Sequence, residues 1–217
     1  MDNSIKNRKY WLKLLPAIIW HIAYLNLSSI FDKHTRVYCD LVFYAGLAIY
    51  FFILRDWRFS LWKVELKRGK IFWFPVLITI LGMTIMFGIG IGSKILFPNV
   101  NDGMAVLGVD SWISLIAFAF VTIFLPPISE EVFYRKAIIV FSSKSILYIS
   151  VIVSIFLYAS EHSLMPLGFL QACLWGIPFS IAYIKTKNVY VCMTAHILCN
   201  LVVNGITVII TAINLLV

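Results

Sequence analysis

The chain has 217 residues, of which 61% are hydrophobic and 13% charged, and its formal net charge is +8. Soluble domains have about 45–50% apolar and about 25% charged residues, so this composition excludes them and indicates a polytopic membrane protein. The basic residues lie in short loops between apolar spans, a pattern that orients membrane proteins, so the positive charge does not predict binding to nucleic acid.

The first part of the chain contains three apolar spans. A basic arm precedes them, and the loop between the second and third spans interleaves basic residues with aromatic and aliphatic ones. This pattern predicts an amphipathic segment on the membrane surface. The arm covers residues 1–10, the spans about 11–30, 37–54 and 71–97, and the amphipathic loop 55–70.

Four further apolar stretches follow a polar loop at residues 98–110. The last of them is about thirty residues long, so it forms either one tilted helix or a helix broken near Asn204 and Gly205, since each crossing takes about 20 residues. The sequence predicts an all-α fold, a polytopic bundle of about seven to eight membrane helices with an intramembrane polar cavity. The four stretches are residues 112–141, 145–160, 166–184 and 188–217.

We interpret the chain as one integrated membrane domain in two parts. Residues 1–111 hold the first three spans with the basic loop, and residues 112–217 form the candidate catalytic core. If the N-terminus is cytoplasmic, only Lys33, Arg36 and Lys94 of the 18 basic residues lie on the outer side. This bias predicts a multi-pass protein of the cell membrane with a cytoplasmic N-terminus.

Two adjacent carboxylates and a guanidinium interrupt the fourth span. Glu131 and Arg135 are four residues apart, so they share a helical face and can neutralise each other. Glu130 lies about 100° round the helix, which leaves its carboxylate free for chemistry. The preceding Pro126 and Pro127 predict a kink or a new helix start. Such groups cost about 2.5–3.5 kcal/mol at membrane depth and indicate a functional site; the alternative is an ion pair that only joins two helices.

Two histidines on later spans also have polar or aromatic partners at helical spacing. His162 follows an aromatic residue by four positions, and His196 precedes Asn200 by four. Each lies on its own span, at a depth compatible with the two glutamates. A lone histidine on an apolar helix is usually a hydrogen-bonded core residue, which is our interpretation of His21. Glu161, directly before His162, has no interpretation from the sequence alone.

The order E-E-x-x-x-R, aromatic-x-x-x-H and H-x-x-x-N on successive spans resembles the CPBP family of intramembrane proteases. This is the CAAX-protease and bacteriocin-processing group, also called the Abi family, which includes the Ras-converting CAAX endopeptidases. The resemblance covers about residues 112–204. The second motif of the family usually begins with Phe, where this chain has Tyr158; the ring is retained, so we expect little loss.

The resemblance implies an intramembrane endopeptidase. It makes Glu130 the catalytic glutamate and His162 the second catalytic residue. It makes Glu131 and Arg135 the pair that supports them. The expected partners are the lipid bilayer and a peptide or membrane-protein substrate.

We expect hydrolysis by an activated water, with no covalent intermediate and no required cofactor. Glu130 would act as general base, and His162 would hold the water or give a proton to the leaving amine. The resemblance assigns His196 and Asn200 to the oxyanion or the water. A zinc mechanism competes, because Glu130, His162 and His196 would make a catalytic zinc set with an open position, although the motif H-E-x-x-H is absent.

Two other classes of function use similar residues. One is a bacteriocin self-immunity or membrane scaffold protein, which acts by binding without cleavage. The other is an ion-coupled transporter, but the paired repeats and two broken helices typical of that class are not evident in the sequence. The identity of the substrate and the oligomeric state stay open.

Overall fold

The computed structural model describes residues 3–216 and the side chains from Leu12 onward, and over these residues the chain is helical without strands. The side chains of the basic arm at residues 1–10 lie outside the described residues. The helices are α1 Asn3–Ser28, α2 Lys33–Ile53, α3 Phe59–Leu66, α4 Lys70–Leu96, α5 Trp112–Ala119, α6 Leu125–Glu130, α7 Lys144–His162, α8 Pro166–Thr186 and α9 Val189–Asn214. Two π-helical segments, Phe120–Phe124 and Glu131–Ala137, flank α6.

Within the described residues, six helices are long and apolar enough to cross a membrane. They are α2, α4, α7, α8, α9 and the run of elements from Trp112 to Ala137, which we call the central span. Leu12–Ser28 of α1 adds a shorter apolar helix. The predicted all-α, polytopic bundle is therefore confirmed.

Two boundaries refine the sequence prediction. The central span ends at Ala137, four residues before the predicted end, because the backbone N–H of Val140 donates to Ser150 of α7 at 3.0 Å instead of continuing the helix. Ser143 then caps the start of α7. The last apolar stretch is one continuous helix, α9, which passes through Gly205 without a break.

The double proline does not break the central span, but π-helical turns lie on both sides of it. Pro126 and Pro127 occupy the first turn of α6, where their missing N–H groups are tolerated. The N–H of Leu125 donates to Phe120 five residues earlier, which is the π pattern. Ser129 Oγ donates to the Leu125 carbonyl oxygen at 2.9 Å. Such π turns inside helices frequently occur at functional sites.

The amphipathic loop forms the short helix α3, which is attached to the start of α9. The indole N–H of buried Trp62 donates to Thr194 Oγ1 at 2.9 Å, and the Tyr190 hydroxyl accepts from the Arg58 backbone at 3.0 Å. Other side chains of α3 face outward, with Leu61 51% exposed. This arrangement fits the predicted surface segment.

The polar loop after α4 is held by contacts at the opposite end of the bundle. Lys94 Nζ lies 2.5 Å from Asp102, and its hydrogen bond lowers the pKa of that carboxyl. The backbone oxygen of Asp102 accepts from Ser163 Oγ at 2.6 Å. The N–H of Gly108 donates to the Lys33 carbonyl oxygen at 2.8 Å. The loops after α1, α4 and α7 therefore meet on one side, as alternating crossings require.

The central span lies between the two halves of the chain. Helix α2 packs against α5 and α6, while α9 packs against the same span and α7 packs against its π-helical end. Polar side chains of the first two spans therefore reach the neighbourhood of Glu130 and Glu131.

Candidate active site

The centre of the site is an ion pair inside the central span. Glu131 Oε2 lies 3.4 Å from Arg135 Nε, and both side chains are fully buried. This separation is that of an ion pair rather than of a short hydrogen bond. The predicted pairing of these two residues is present, and it leaves the second oxygen of Glu131 for another partner.

Arg135 is fixed by contacts with two neighbouring helices, α7 and α8. Its Nη1 donates to Ser154 Oγ of α7, and its Nη2 to the Gly176 carbonyl oxygen of α8, each at 3.4 Å. Its guanidinium carbon lies 4.9 Å from the centre of the Tyr158 ring, a cation–π contact. A side chain at Gly176 would approach the same ring to 3.3 Å, so the glycine lets α7 and α8 meet around Arg135.

His196 of α9 binds the remaining oxygen of Glu131. Its Nδ1 lies 2.9 Å from Glu131 Oε1, and its ring stacks on Phe179 with centroids 4.5 Å apart. A carboxylate paired with a guanidinium accepts hydrogen bonds, so the hydrogen of this bond belongs to Nδ1. The Nε2 atom of His196 is then the one available to a substrate or a water.

His162, at the end of α7, presents its ring in the same way. Its Nδ1 lies 2.9 Å from the Tyr158 carbonyl oxygen, which can only accept, so Nδ1 carries the hydrogen. The neutral ring therefore offers Nε2 as an acceptor. The ring centroids of His162 and Tyr158 are 4.4 Å apart, and His162 lies within electrostatic reach of Arg135 and His196.

Glu130 differs from its neighbour because no cation pairs with it among the described residues. It is 2% exposed, and its Oε2 has no hydrogen-bond partner in the part of the chain that the structure describes. It lies within electrostatic reach of the carboxylates of Glu131 and Glu161. The charge of Arg135 and the hydroxyl of Tyr44 also act on this carboxyl. A buried carboxyl with one unpartnered oxygen is still costly as a structural element, and this favours a role in chemistry.

Glu161 forms a second buried polar cluster beside the first. Its Oε1 accepts from the Tyr44 hydroxyl of α2 at 2.5 Å, and its Oε2 accepts from the Tyr134 hydroxyl of the central span. His21 of α1 completes the cluster, with Nδ1 3.8 Å from Glu161 Oε2 and 3.4 Å from the Tyr134 hydroxyl. Tyr44 also lies beside Glu130. The two clusters therefore adjoin at Glu130 and Tyr44.

Sequence reasoning missed these contributors from the first two spans. His21 is a hydrogen-bonded core residue, as predicted, but its partners belong to the site. Tyr44 received no role at all. The only sequence feature that could have indicated these residues is that polar groups interrupt apolar spans. No helical spacing relates Tyr44 to Glu161, which lies 117 residues later.

We expect Tyr44→Phe to lower the free energy of unfolding by about 1.5–3 kcal/mol, the usual value of a hydrogen bond to a charged group. The substitution leaves one oxygen of buried Glu161 without its donor. Thermal unfolding of the purified chain in detergent measures the loss. Tyr148→Phe is the matched control, because Tyr148 is 67% exposed and makes no hydrogen bond to a described residue. Equal melting temperatures for the two variants would contradict the importance of this contact.

Asn200 and Asn204 of α9 differ in their contacts. Asn200, assigned to the oxyanion by the resemblance, is half-buried and its side chain makes no hydrogen bond to any described residue. Asn204, one turn later, donates to the Thr122 carbonyl oxygen at 3.1 Å and so ties α9 to the first π-helical segment. Within the described part of the chain, the Asn200 amide is therefore free to donate a hydrogen bond to another group.

The zinc alternative requires Glu130, His162 and His196 to converge on one point. Among the described residues, no group of three or more His, Cys, Asp or Glu side chains is placed to hold a metal ion. His196 instead directs Nδ1 at Glu131. The side chains as arranged do not fit a zinc ion.

Comparison with protein-family models gives a match over residues 112–202, to the model described as Rce1-like, type II CAAX prenyl endopeptidase. A search of curated proteins and a search of solved structures found no match. The matched segment contains all six residues assigned from the motifs, from Glu130 to Asn200. The family resemblance that the motifs indicated is confirmed: residues 112–202 are similar to the type II CAAX prenyl endopeptidases of the CPBP family.

Proposed function

We propose that the chain is an intramembrane endopeptidase that hydrolyses a peptide bond of a membrane-associated protein or peptide. The observation that carries this proposal is Glu130, a buried carboxylate with an unpartnered oxygen and no cation of its own among the described residues. The neighbouring Glu131 differs because its Oε2, although it also lacks a hydrogen bond, forms an ion pair with Arg135, and its Oε1 binds His196. Glu130 is therefore the carboxylate available to a water.

In the proposed reaction, Glu130 removes a proton from a water and the resulting hydroxide attacks the carbonyl carbon of the scissile bond. The C–N bond then breaks, and the leaving amine takes the proton that Glu130 received. Neutral His162 holds the same water through Nε2, since its Nδ1 hydrogen is bound to a carbonyl oxygen. The expected donor role of His162 toward the amine would need its protonated form.

The oxyanion needs hydrogen-bond donors, and α9 supplies two candidates. The Asn200 amide has no competing bond to a described residue. His196 can donate from Nε2 only as an imidazolium, because its Nδ1 hydrogen already binds Glu131. The Glu131–Arg135 pair thus acts through His196, which it orients, and not on the substrate.

The proposal includes the orientation of the chain in the membrane and the class of its substrate. We infer a cytoplasmic N-terminus from the distribution of lysine and arginine. The substrate is a peptide or protein that reaches the site from the bilayer. A prenylated CAAX-type C-terminus, named in the description of the matching family model, is one such substrate.

The test is cleavage of membrane-anchored peptides, with and without a prenyl group, by the purified chain in water enriched in ¹⁸O. We expect product peptides that carry one ¹⁸O atom in the new carboxyl group, and activity that persists after treatment with a metal chelator. His162→Ala should remove the products without preventing folding, since His162 makes one hydrogen bond, to its own helix.

Two outcomes would contradict the proposal. Peptides that bind tightly and stay intact would favour the immunity or scaffold alternative. Activity that chelators abolish and zinc restores would favour the metal mechanism over the glutamate mechanism.

A further inference from the structure

A second group of charged residues lies at the end of the bundle opposite the polar loop. A cavity of about 340 Å³ opens there, where α2 and α8 end and α9 begins. Its volume is that of a small-ligand site. Its charged lining consists of four basic residues and two acidic ones: Arg55, Arg68, Lys136, Lys187, Asp56 and Glu65.

Both acidic residues of this cavity already have partners within it. Asp56 Oδ1 lies 3.4 Å from Lys136 Nζ. Glu65 Oε2 lies 3.0 Å from Arg68 Nη1 and accepts from Asn188 Nδ2 at 2.6 Å. The cavity therefore keeps two positive charges that its own carboxylates do not neutralise.

The two remaining cations are Arg55 and Lys187, and no carboxylate among the described residues lies within ion-pair distance of either. They are also the only non-glycine residues in the described chain with positive φ, at 64° and 51°. Each follows the last residues of a helix, where the left-handed conformation favours glycine. Backbone conformations of this kind at a shared cavity point to function.

The cavity has two further features suited to an anion with an apolar tail. The N-terminus of α9 opens into it through Asn188 and Val189, and helix N-termini favour negative charge. Leu61, which is 51% exposed, gives the cavity an apolar edge. The ring of Phe141, which is 40% exposed, adds apolar surface beside Lys187, with its centroid 5.2 Å from Lys187 Nζ. The charged centre and the apolar edge lie at the ends of the spans α2 and α8.

We propose that this cavity binds the phosphate headgroup of an anionic membrane lipid. Arg55 and Lys187 supply the positive charge, and the acyl chains lie along Leu61 toward the bilayer. Basic pockets between membrane helices are suited to such headgroups. Free phosphate is also an anion but has no apolar part, so it would not use the apolar edge.

The test is thermal unfolding of the full chain in neutral-detergent micelles doped with phosphatidylglycerol or with phosphatidylcholine. For the unsubstituted chain we expect phosphatidylglycerol to raise the melting temperature by about 3–6 °C at roughly ten times its Kd. Arg55→Gly with Lys187→Gly should abolish this rise. Glycine adopts the left-handed backbone conformation of both positions without steric strain. In phosphatidylcholine we therefore expect this variant to be at least as stable as the unsubstituted chain.

The control is Lys67→Gln with Lys70→Gln, which removes two charges from the same end of the bundle but not from the cavity. This variant should keep the full rise. The lipid site is overturned if the glycine variant still responds to phosphatidylglycerol, if the control loses the response equally, or if inorganic phosphate alone reproduces the rise. The readout is independent of peptide cleavage, so its failure would leave the proposed protease untouched.

Discussion

Glu130→Gln is expected to slow peptide hydrolysis by about 100-fold to 10,000-fold, the range that general-base catalysis contributes. The amide has nearly the same shape as the carboxyl but cannot take a proton from water. Stability should stay the same or rise, because Glu130 has no cation partner among the described residues and lies near two other carboxylates. Cleavage rate and melting temperature of the same preparation measure the two effects.

Asp110→Asn is the control for this change, since Asp110 is an exposed carboxylate in the polar loop before the central span, 3.3 Å from His34 at the start of α2. It should cleave at the rate of the unsubstituted chain. If Glu130→Gln remained active, Glu130 would not be the base. If it failed to fold, Glu130 would be a structural group, and the assignment of the free carboxylate would be wrong.

Arg135→Ala is expected to have the largest effect on stability, about 3–5 kcal/mol, because it leaves Glu131 as an unpaired charge in a fully buried position. The change also removes hydrogen bonds to Ser154 and Gly176 and the contact with the Tyr158 ring. For a chain of this length we expect the melting temperature to fall by roughly 6–20 °C. The amount of folded protein in the membrane should fall with it.

A double variant separates the charge from the packing. Arg135→Met together with Glu131→Gln removes both charges while it retains most of the volume, so it should recover part of the lost stability. It should stay inactive, because His196 loses the carboxylate that orients it. If the double variant were no more stable than Arg135→Ala, the hydrogen bonds of Arg135 and its contact with the Tyr158 ring, and not its pairing with Glu131, would hold the site together.

The parts of the fold that depend on local sequence could be predicted. The spans follow from composition over about 20 residues, and the Glu131–Arg135 pair follows from a spacing of four on one helix. The six residues assigned from the motifs lie in the segment that matches the family model. Their catalytic roles, and the distances from Glu130 to His162 and His196, stay predictions.

The parts that depend on contacts between distant helices could not be predicted. Hydropathy shows that a residue lies in the membrane but not which residue of another helix it contacts. The hydrogen bonds from Tyr44 and Tyr134 to Glu161 therefore could not be predicted. His196 contacts Glu131 and not Glu130 because of the way α9 packs against the second π-helical segment. The π turns themselves have no sequence signal beyond the nearby prolines.

The pairing of the buried acids has a consequence for how the chain enters the bilayer during synthesis. Asp40 of α2 accepts from the Tyr24 hydroxyl at 2.9 Å and lies 3.9 Å from Arg36, and both partners are synthesised before it. Glu161 likewise arrives after all its donors, and Glu131 precedes Arg135 by four residues. Asp40, Glu131 and Glu161 therefore each have a first partner no more than four residues after they are synthesised, and only His196, the second partner of Glu131, follows much later with α9.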